Sequence, residues 1–168
     1  MTAKTLWLTG LSGAGKTTIA TSAIERLKAS GTVAFMVDGD QLRAGLCKGL
    51  GFSQAERTEN IRRAAELAKL LNQAGITVIA SMISPMATDR ALAAEIIGTS
   101  FVEVFISTSL DVCQARDPKG LYAKAVSGEI PSFTGISAPY EQPANPALSI
   151  NTAVLTINEA VDDVLALL

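Results

Sequence analysis

The stretch Gly10-Leu11-Ser12-Gly13-Ala14-Gly15-Lys16-Thr17 decides how this chain is read. It fits the pattern G-x-x-x-x-G-K-[ST], whose glycines let backbone N–H groups converge on phosphate oxygens while the next helix adds partial positive charge at its amino terminus. In that pattern the lysine reaches the β- and γ-phosphates and the threonine hydroxyl ligates Mg²⁺. The pattern carries weight only between a strand and a helix, and both are predicted. Residues Thr5–Thr9 form a short apolar run that reads as a buried strand ended by Gly10. Residues 17–30 place Ile19, Ala20, Ala23, Ile24 and Leu27 near helical spacing, with Gly31 as a stop. A chance glycine-rich turn accounts for neither flank. Gly10, Ser12, Gly13, Ala14, Gly15, Lys16, Thr17 and Thr18 are therefore the expected ATP-phosphate set, with Thr17 also a metal ligand.

Outward from this loop, residues 33–37 read as a second strand ending in Asp38-Gly39-Asp40. Carboxylates at the carboxyl end of a strand beside a phosphate loop can orient an acceptor hydroxyl or help hold the metal. Asp38 is assigned to the metal. Asp40 is assigned to the hydroxyl, positioning it and accepting its proton late, because the phosphoryl-transfer transition state is loose. The alternative is an acidic turn with solvated side chains. Residues 53–74 open on a Ser53/Glu56 capping box and run Ile61, Ala64, Ala65, Ala68 and Leu71 along one helix face.

Strands at 76–81 and 101–106 flank a helix at 88–97, so strands and helices alternate, which argues for a parallel sheet with helices on both faces. Residues 117–146 then break into Gly, Pro, Lys and Ser, with a short helix near 122–126, and read as a lid. A last strand at 148–151 and a closing helix at 157–168 complete an α/β, three-layer P-loop kinase fold: a mostly parallel central sheet, a mobile lid, and a single domain over 1–168. The loop alone leaves GTPases, motor ATPases and small-molecule kinases open. The lid favours a small kinase that closes to keep water from the γ-phosphate, and no N-K-x-D guanine signature is visible.

Composition removes other chemistries. At 168 residues with 48% hydrophobic and 18% charged side chains, the chain is an ordinary globular domain of about one unit. Fourteen cationic against sixteen anionic side chains give a net charge of −2, so no broad basic face for nucleic acid is expected. The absence of histidine excludes histidine triads, histidine-ligated zinc and a histidine general base. Cys47 and Cys113 lack C-x-x-C spacing, which fits a reduced, cytoplasmic setting. Neither an 18-residue apolar stretch nor a signal-peptide layout is seen, so no membrane association is expected.

Arg43, Arg57, Arg62 and Arg63 cluster in a chain with few cations, and their planar forks suit an anionic acceptor. For Arg62 and Arg63 a solvated helix face with Glu–Arg pairs stands as an equal alternative.

Several ordered strings then point one way. Asp38-Gly39-Asp40-Gln41-Leu42-Arg43-Ala44-Gly45-Leu46, Leu50-Gly51-Phe52-Ser53, Glu59-Asn60-Ile61-Arg62-Arg63 and Ile83-Ser84-Pro85 resemble the adenylyl-sulfate kinase family. So do Arg116-Asp117-Pro118-Lys119-Gly120-Leu121-Tyr122, Phe133-Thr134-Gly135-Ile136 and Pro139-Tyr140-Glu141, and the likeness runs from about residue 5 to 152. The resemblance implies transfer of the ATP γ-phosphate to the 3′-hydroxyl of adenosine 5′-phosphosulfate (APS), with Mg²⁺, giving 3′-phosphoadenosine 5′-phosphosulfate and ADP. It implies that Arg43, Arg57 and Asn60 hold the acceptor, with Asp38, Gly39, Asp40 and Ile83 beside it. Phe52 and Phe133 would stack its adenine, a contact of roughly 1–3 kcal/mol, against the alternative that both pack in the core.

By the same resemblance Lys119 belongs to the lid, and Arg116 and Thr152 lie near the donor adenine. Ser84 aligns with a serine assigned in the family as a phosphorylated intermediate and joins Lys16 and Asp40 as a catalytic candidate. No base is recognisable near it and in-line transfer needs none, so Ser84 is expected to line the nucleotide pocket. A homodimer and a functional link to ATP sulfurylase are also implied. Two positions depart from the family pattern: Met86 follows Ile-Ser-Pro where tyrosine is usual, and Val126 replaces a lid arginine. The competing readings are a non-catalytic nucleotide-sensing domain, which an intact Lys16, Thr17, Asp38 and Asp40 disfavour, and a kinase for another anionic nucleoside or small metabolite.

Overall fold

A computed structural model describes residues 3–168. The chain alternates strands and helices: β1 (Thr5–Thr9), α1 (Lys16–Ala29), β2 (Ala34–Asp38), α2 (Gly39–Ala44), α3 (Gln54–Gln73), β3 (Thr77–Ser81) and α4 (Ala87–Ile97). After a 3₁₀ turn at Gly98–Ser100 come β4 (Phe101–Ile106), α5 (Leu110–Arg116), α6 (Leu121–Val126), β5 (Leu148–Ile150) and α7 (Ile157–Leu165). The five strands form one sheet in the order β2-β3-β1-β4-β5, with every pairing parallel. All strands therefore end on the same side, and β1, at the centre, delivers the phosphate loop to that edge.

The pleat explains the two core layers. Leu6 and Leu8 point to one face of β1, where α1 and α7 supply Ile19, Ala23, Leu27, Val161 and Val164. Trp7 points to the other, where Ile61, Ala64, Ala65 and Ala68 of α3 meet Ala93 and Ile97 of α4. With both faces covered, β1 is wholly buried and its Leu6-Trp7-Leu8 centre is apolar without alternation.

Two helices were not expected from the sequence. α2 and α5 are short, so neither carries enough turns to show a 3.6-residue period. α2 is set by Asp38, whose Oδ1 accepts the Asp40 and Gln41 N–H groups at 2.9 and 3.3 Å and caps the helix. The Ser53/Glu56 capping box of α3 forms as expected. The closing helix ends at Leu165, earlier than the 157–168 run suggested. Among the described residues no helix is long and apolar enough to cross a membrane.

Candidate active site

A cleft of about 1140 Å³ opens at the carboxyl ends of the strands, between the phosphate loop on one side and α2, the start of α3 and the 117–146 segment on the other. Ser12, Gly13, Gly15, Lys16, Thr17 and Thr18 line it from the loop. Gly10 and Ala14 do not line it; they shape the loop from behind. Gly10 has φ 154°, and a Cβ there would lie 2.6 Å from the Ile106 carbonyl oxygen. The Ala14 carbonyl accepts the hydroxyls of Thr152 at 2.7 Å and Thr108 at 3.2 Å. Gly13 and Gly15 take φ of 76° and 109°, the left-handed conformations that glycine adopts without steric cost.

Lys16 is buried and its Nζ folds back on its own loop, donating to the Gly10 and Leu11 carbonyls at 2.9 and 2.7 Å. Burial pulls its pKa down to about 8; Lys119 adds to this, while Cys113, Asp38 and Asp40 oppose it. Thr17 Oγ1 donates to Asp38 Oδ2 at 3.1 Å and lies 3.0 Å from Ser81 Oγ. Asp38 thus divides its carboxylate, one oxygen capping α2 and one facing the loop threonine. No cluster of three acidic, cysteine or histidine side chains exists among the described residues. A hydroxyl and a carboxylate oxygen side by side nevertheless suit Mg²⁺, which keeps several waters and takes its remaining ligands from phosphate.

Asp40 stands exposed on the first turn of α2 and ion-pairs with Lys119. Beyond it Arg43 donates to the Leu50 and Gly51 carbonyls at 3.2 and 2.9 Å, with its guanidinium 4.3 Å from the centroid of the Phe52 ring. Arg57 lies 5.6 Å from the same centroid and donates to the Phe52, Ser132 and Thr134 oxygens, joining α3 to the 117–146 segment. Burial, and to a lesser degree the nearby Arg43, lower the Arg57 pKa. Asn60, one turn on, is 5% exposed, and its Oδ1 has no hydrogen-bond partner among the described residues. An orphaned buried acceptor costs about 1–3 kcal/mol unless a ligand supplies a donor.

Phe52 is 62% exposed, which removes its core-packing alternative. Phe133 lines the cleft but also meets Tyr122 edge-on at 5.1 Å and packs on the core, so its core-packing alternative holds in part. Arg116 forks onto the Thr152 hydroxyl and carbonyl at 2.8 and 3.0 Å and reaches the Gly13 carbonyl at 3.3 Å, tying the end of β5 to the loop. Tyr122 of α6 donates to the Ser12 carbonyl at 2.9 Å. Gly39 and Ile83 line the cleft.

Three further points concern residues with alternative readings or departures from the family pattern. Arg62 and Arg63 lie off the cleft and pair with Glu59 at 2.8 and 2.7 Å, so the anion cluster reduces to Arg43 and Arg57. Their hydrogen bonds pull the Glu59 carboxyl down to about 2. Ser84 lines the cleft, but its hydroxyl is occupied: it accepts Trp7 Nε1–H at 3.1 Å and donates to the Met82 carbonyl at 3.3 Å. That geometry makes it an anchor rather than a free nucleophile. Met86 and Val126, the two departures, are both outside the cleft lining, and Val126 is exposed. Sequence reasoning missed Thr9, Ser81, Arg90 and Thr108; for Arg90 the one signal was that it is the only cation of α4.

Residues 2–151 match the family model described as adenylylsulphate kinase. The adenylyl-sulfate kinase of Paraburkholderia xenovorans is 53% identical over 161 residues, covering 96% of this chain and 90% of that protein. Among solved structures, the Mycobacterium tuberculosis APS kinase in complex with AMPPNP and APS superposes with a TM-score of 0.95 at 47% identity, over 98% of this chain and 96% of that one. A hexameric APS kinase from Thiobacillus denitrificans gives a TM-score of 0.73 at 31% identity, over 98% of this chain and 28% of that one.

Proposed function

Since this chain belongs to the adenylyl-sulfate kinase family, we propose that it transfers the γ-phosphate of ATP to the 3′-hydroxyl of APS, releasing ADP and 3′-phosphoadenosine 5′-phosphosulfate. The observation that carries this reading is the pairing, in one cleft, of a phosphate loop with a cationic, aromatic-walled recess holding the orphaned Asn60 Oδ1. A donor nucleotide alone leaves that recess empty. An anionic nucleotide acceptor supplies charge for Arg43 and Arg57, an adenine face for Phe52 and a donor for Asn60.

In this reading Lys16 leaves its loop carbonyls for the phosphates and offsets charge on the transferring group. Asp40 turns from Lys119 to the acceptor hydroxyl, orients it and accepts its proton. Thr17 and Asp38 would hold Mg²⁺, which would supply neutralisation of phosphate charge. Lys119 and Phe133 close over both substrates and exclude water. Arg116 and Thr152 border the donor base. Homodimer formation, a cytoplasmic setting and a functional link to ATP sulfurylase belong to the same reading.

Incubation with Mg·ATP and APS, with adenosine 5′-monophosphate as the control acceptor, tests the reading. One 3′-phosphorylated product and stoichiometric ADP are expected from APS alone. Equal turnover of the monophosphate, or turnover of neither, would overturn it.

A further inference from the structure

Arg90 and Tyr140 touch neither substrate recess as described above, yet the cleft wall opposite the phosphate loop depends on them. That wall is the turn Ile83-Ser84-Pro85. Ser84 has φ 39°, in the left-handed region that a serine occupies only when its surroundings impose it. All three carbonyls of the turn are held by protein donors. Thr9 Oγ1 lies 2.7 Å from the Ile83 oxygen and 2.9 Å from the Tyr140 hydroxyl. A hydroxyl has one proton, so Tyr140 donates to Thr9 and leaves the Thr9 proton for Ile83. Arg90, 4% exposed, sends Nη1 to the Ser84 and Pro85 carbonyls at 2.8 and 3.2 Å, while its Nε pairs with Glu103 at 2.9 Å. The Glu141 N–H also reaches the Pro85 carbonyl at 2.8 Å.

The described peptide bonds are trans, and in a trans peptide the C=O and the following N–H point opposite ways. Holding the Ile83 carbonyl on Thr9 therefore turns the Ser84 N–H to the other side, where it has no partner among the described residues. The clamp itself spans elements. Thr9 ends β1, Arg90 belongs to α4, and Tyr140 lies late in the 117–146 segment, stacked on Phe105 of β4 with ring centroids 6.0 Å apart.

We propose that Arg90 and Tyr140 are positioning residues that fix the Ile83–Pro85 turn for the acceptor nucleotide, so that their loss weakens acceptor binding and leaves the donor site intact. The inference rests on the kinase reading for what the acceptor is. Its geometry does not.

The test uses the full chain with Tyr140→Phe and Arg90→Lys. Tyr140→Phe removes only the hydroxyl that frees the Thr9 proton. Arg90→Lys keeps a charge facing Glu103 but loses the fork. Each is expected to raise the KM for APS, and its Kd by calorimetry in the presence of ADP, by about fivefold or more, while the Kd for ATP stays within about twofold. Unchanged APS affinity with only a lower Tm would show a merely structural role and overturn the proposal. So would an equal loss of both nucleotides, or an Arg90→Lys protein that matches the parent. Should Arg90→Lys fail to fold, Tyr140→Phe decides. A parent protein that binds APS without turning it over counts against the kinase reading and leaves this one to the calorimetry.

Discussion

At Lys16 burial and charge pull in opposite directions. Its pKa of about 8 describes a lysine enclosed by loop carbonyls; phosphate oxygens favour the ammonium, so the bound pKa lies above the free one and binding takes up a proton when the pH exceeds 8. The Kd for ATP is expected to be flat below about pH 8 and to rise about tenfold per unit above it, with proton uptake visible by calorimetry in buffers of different ionisation enthalpy. A flat profile to pH 9.5 would remove the depressed lysine. Lys16→Ala should keep its Tm near that of the parent and lose about 10³-fold or more in kcat, read by ADP release. Asp40→Asn keeps shape and loses charge, so kcat should fall strongly at unchanged ATP affinity; loss of affinity alone would make Asp40 a binding residue. These positions were legible because a motif and two adjacent carboxylates name their chemistry. Arg62 and Arg63 were not. On a helix turning 100° per residue, Arg57 and Asn60 share one face and the next two arginines rotate away from it, a distinction that composition cannot draw.

Elements were legible in proportion to their length. The 20-residue α3 announces itself through its alanine stripe and capping box, whereas α2 has too few residues to show a period and depends on one cap from Asp38. The 117–146 segment read as irregular, and its order comes from contacts that lie far apart in sequence: Tyr122 on Ser12, Arg57 on Ser132, Lys119 on Asp40. Fixing such a segment costs about 1–2 kcal/mol per residue, which bound anions and a stacked base offset. Hydrogen exchange across residues 117–138 should therefore slow when ADP and APS are added, while Glu141, whose N–H already serves the Pro85 carbonyl, should be protected in both states. Equal exchange in 117–138 with and without ligand would make it a fixed loop and end the closure mechanism.

For the whole molecule, alternation of strands and helices specified a parallel sheet with two helical layers, because each buried strand must be covered on both faces. The strand order did not follow from the sequence, since it is decided by which helices cross to which face; the structure's order puts β1 in the middle, with the acceptor recess beyond β3 on one side and Arg116 with Thr152 beyond β4 on the other. In the proposed reading one cleft serves donor and acceptor, and a Ser84 whose hydroxyl is occupied favours direct in-line transfer. The stereochemical course at phosphorus tests this most directly. With ATP chiral in its γ-phosphoryl oxygens and APS as acceptor, the account predicts inversion in the 3′-phosphorylated product, the result of a single displacement; retention, which a phosphorylated Ser84 would give through two displacements, would contradict it.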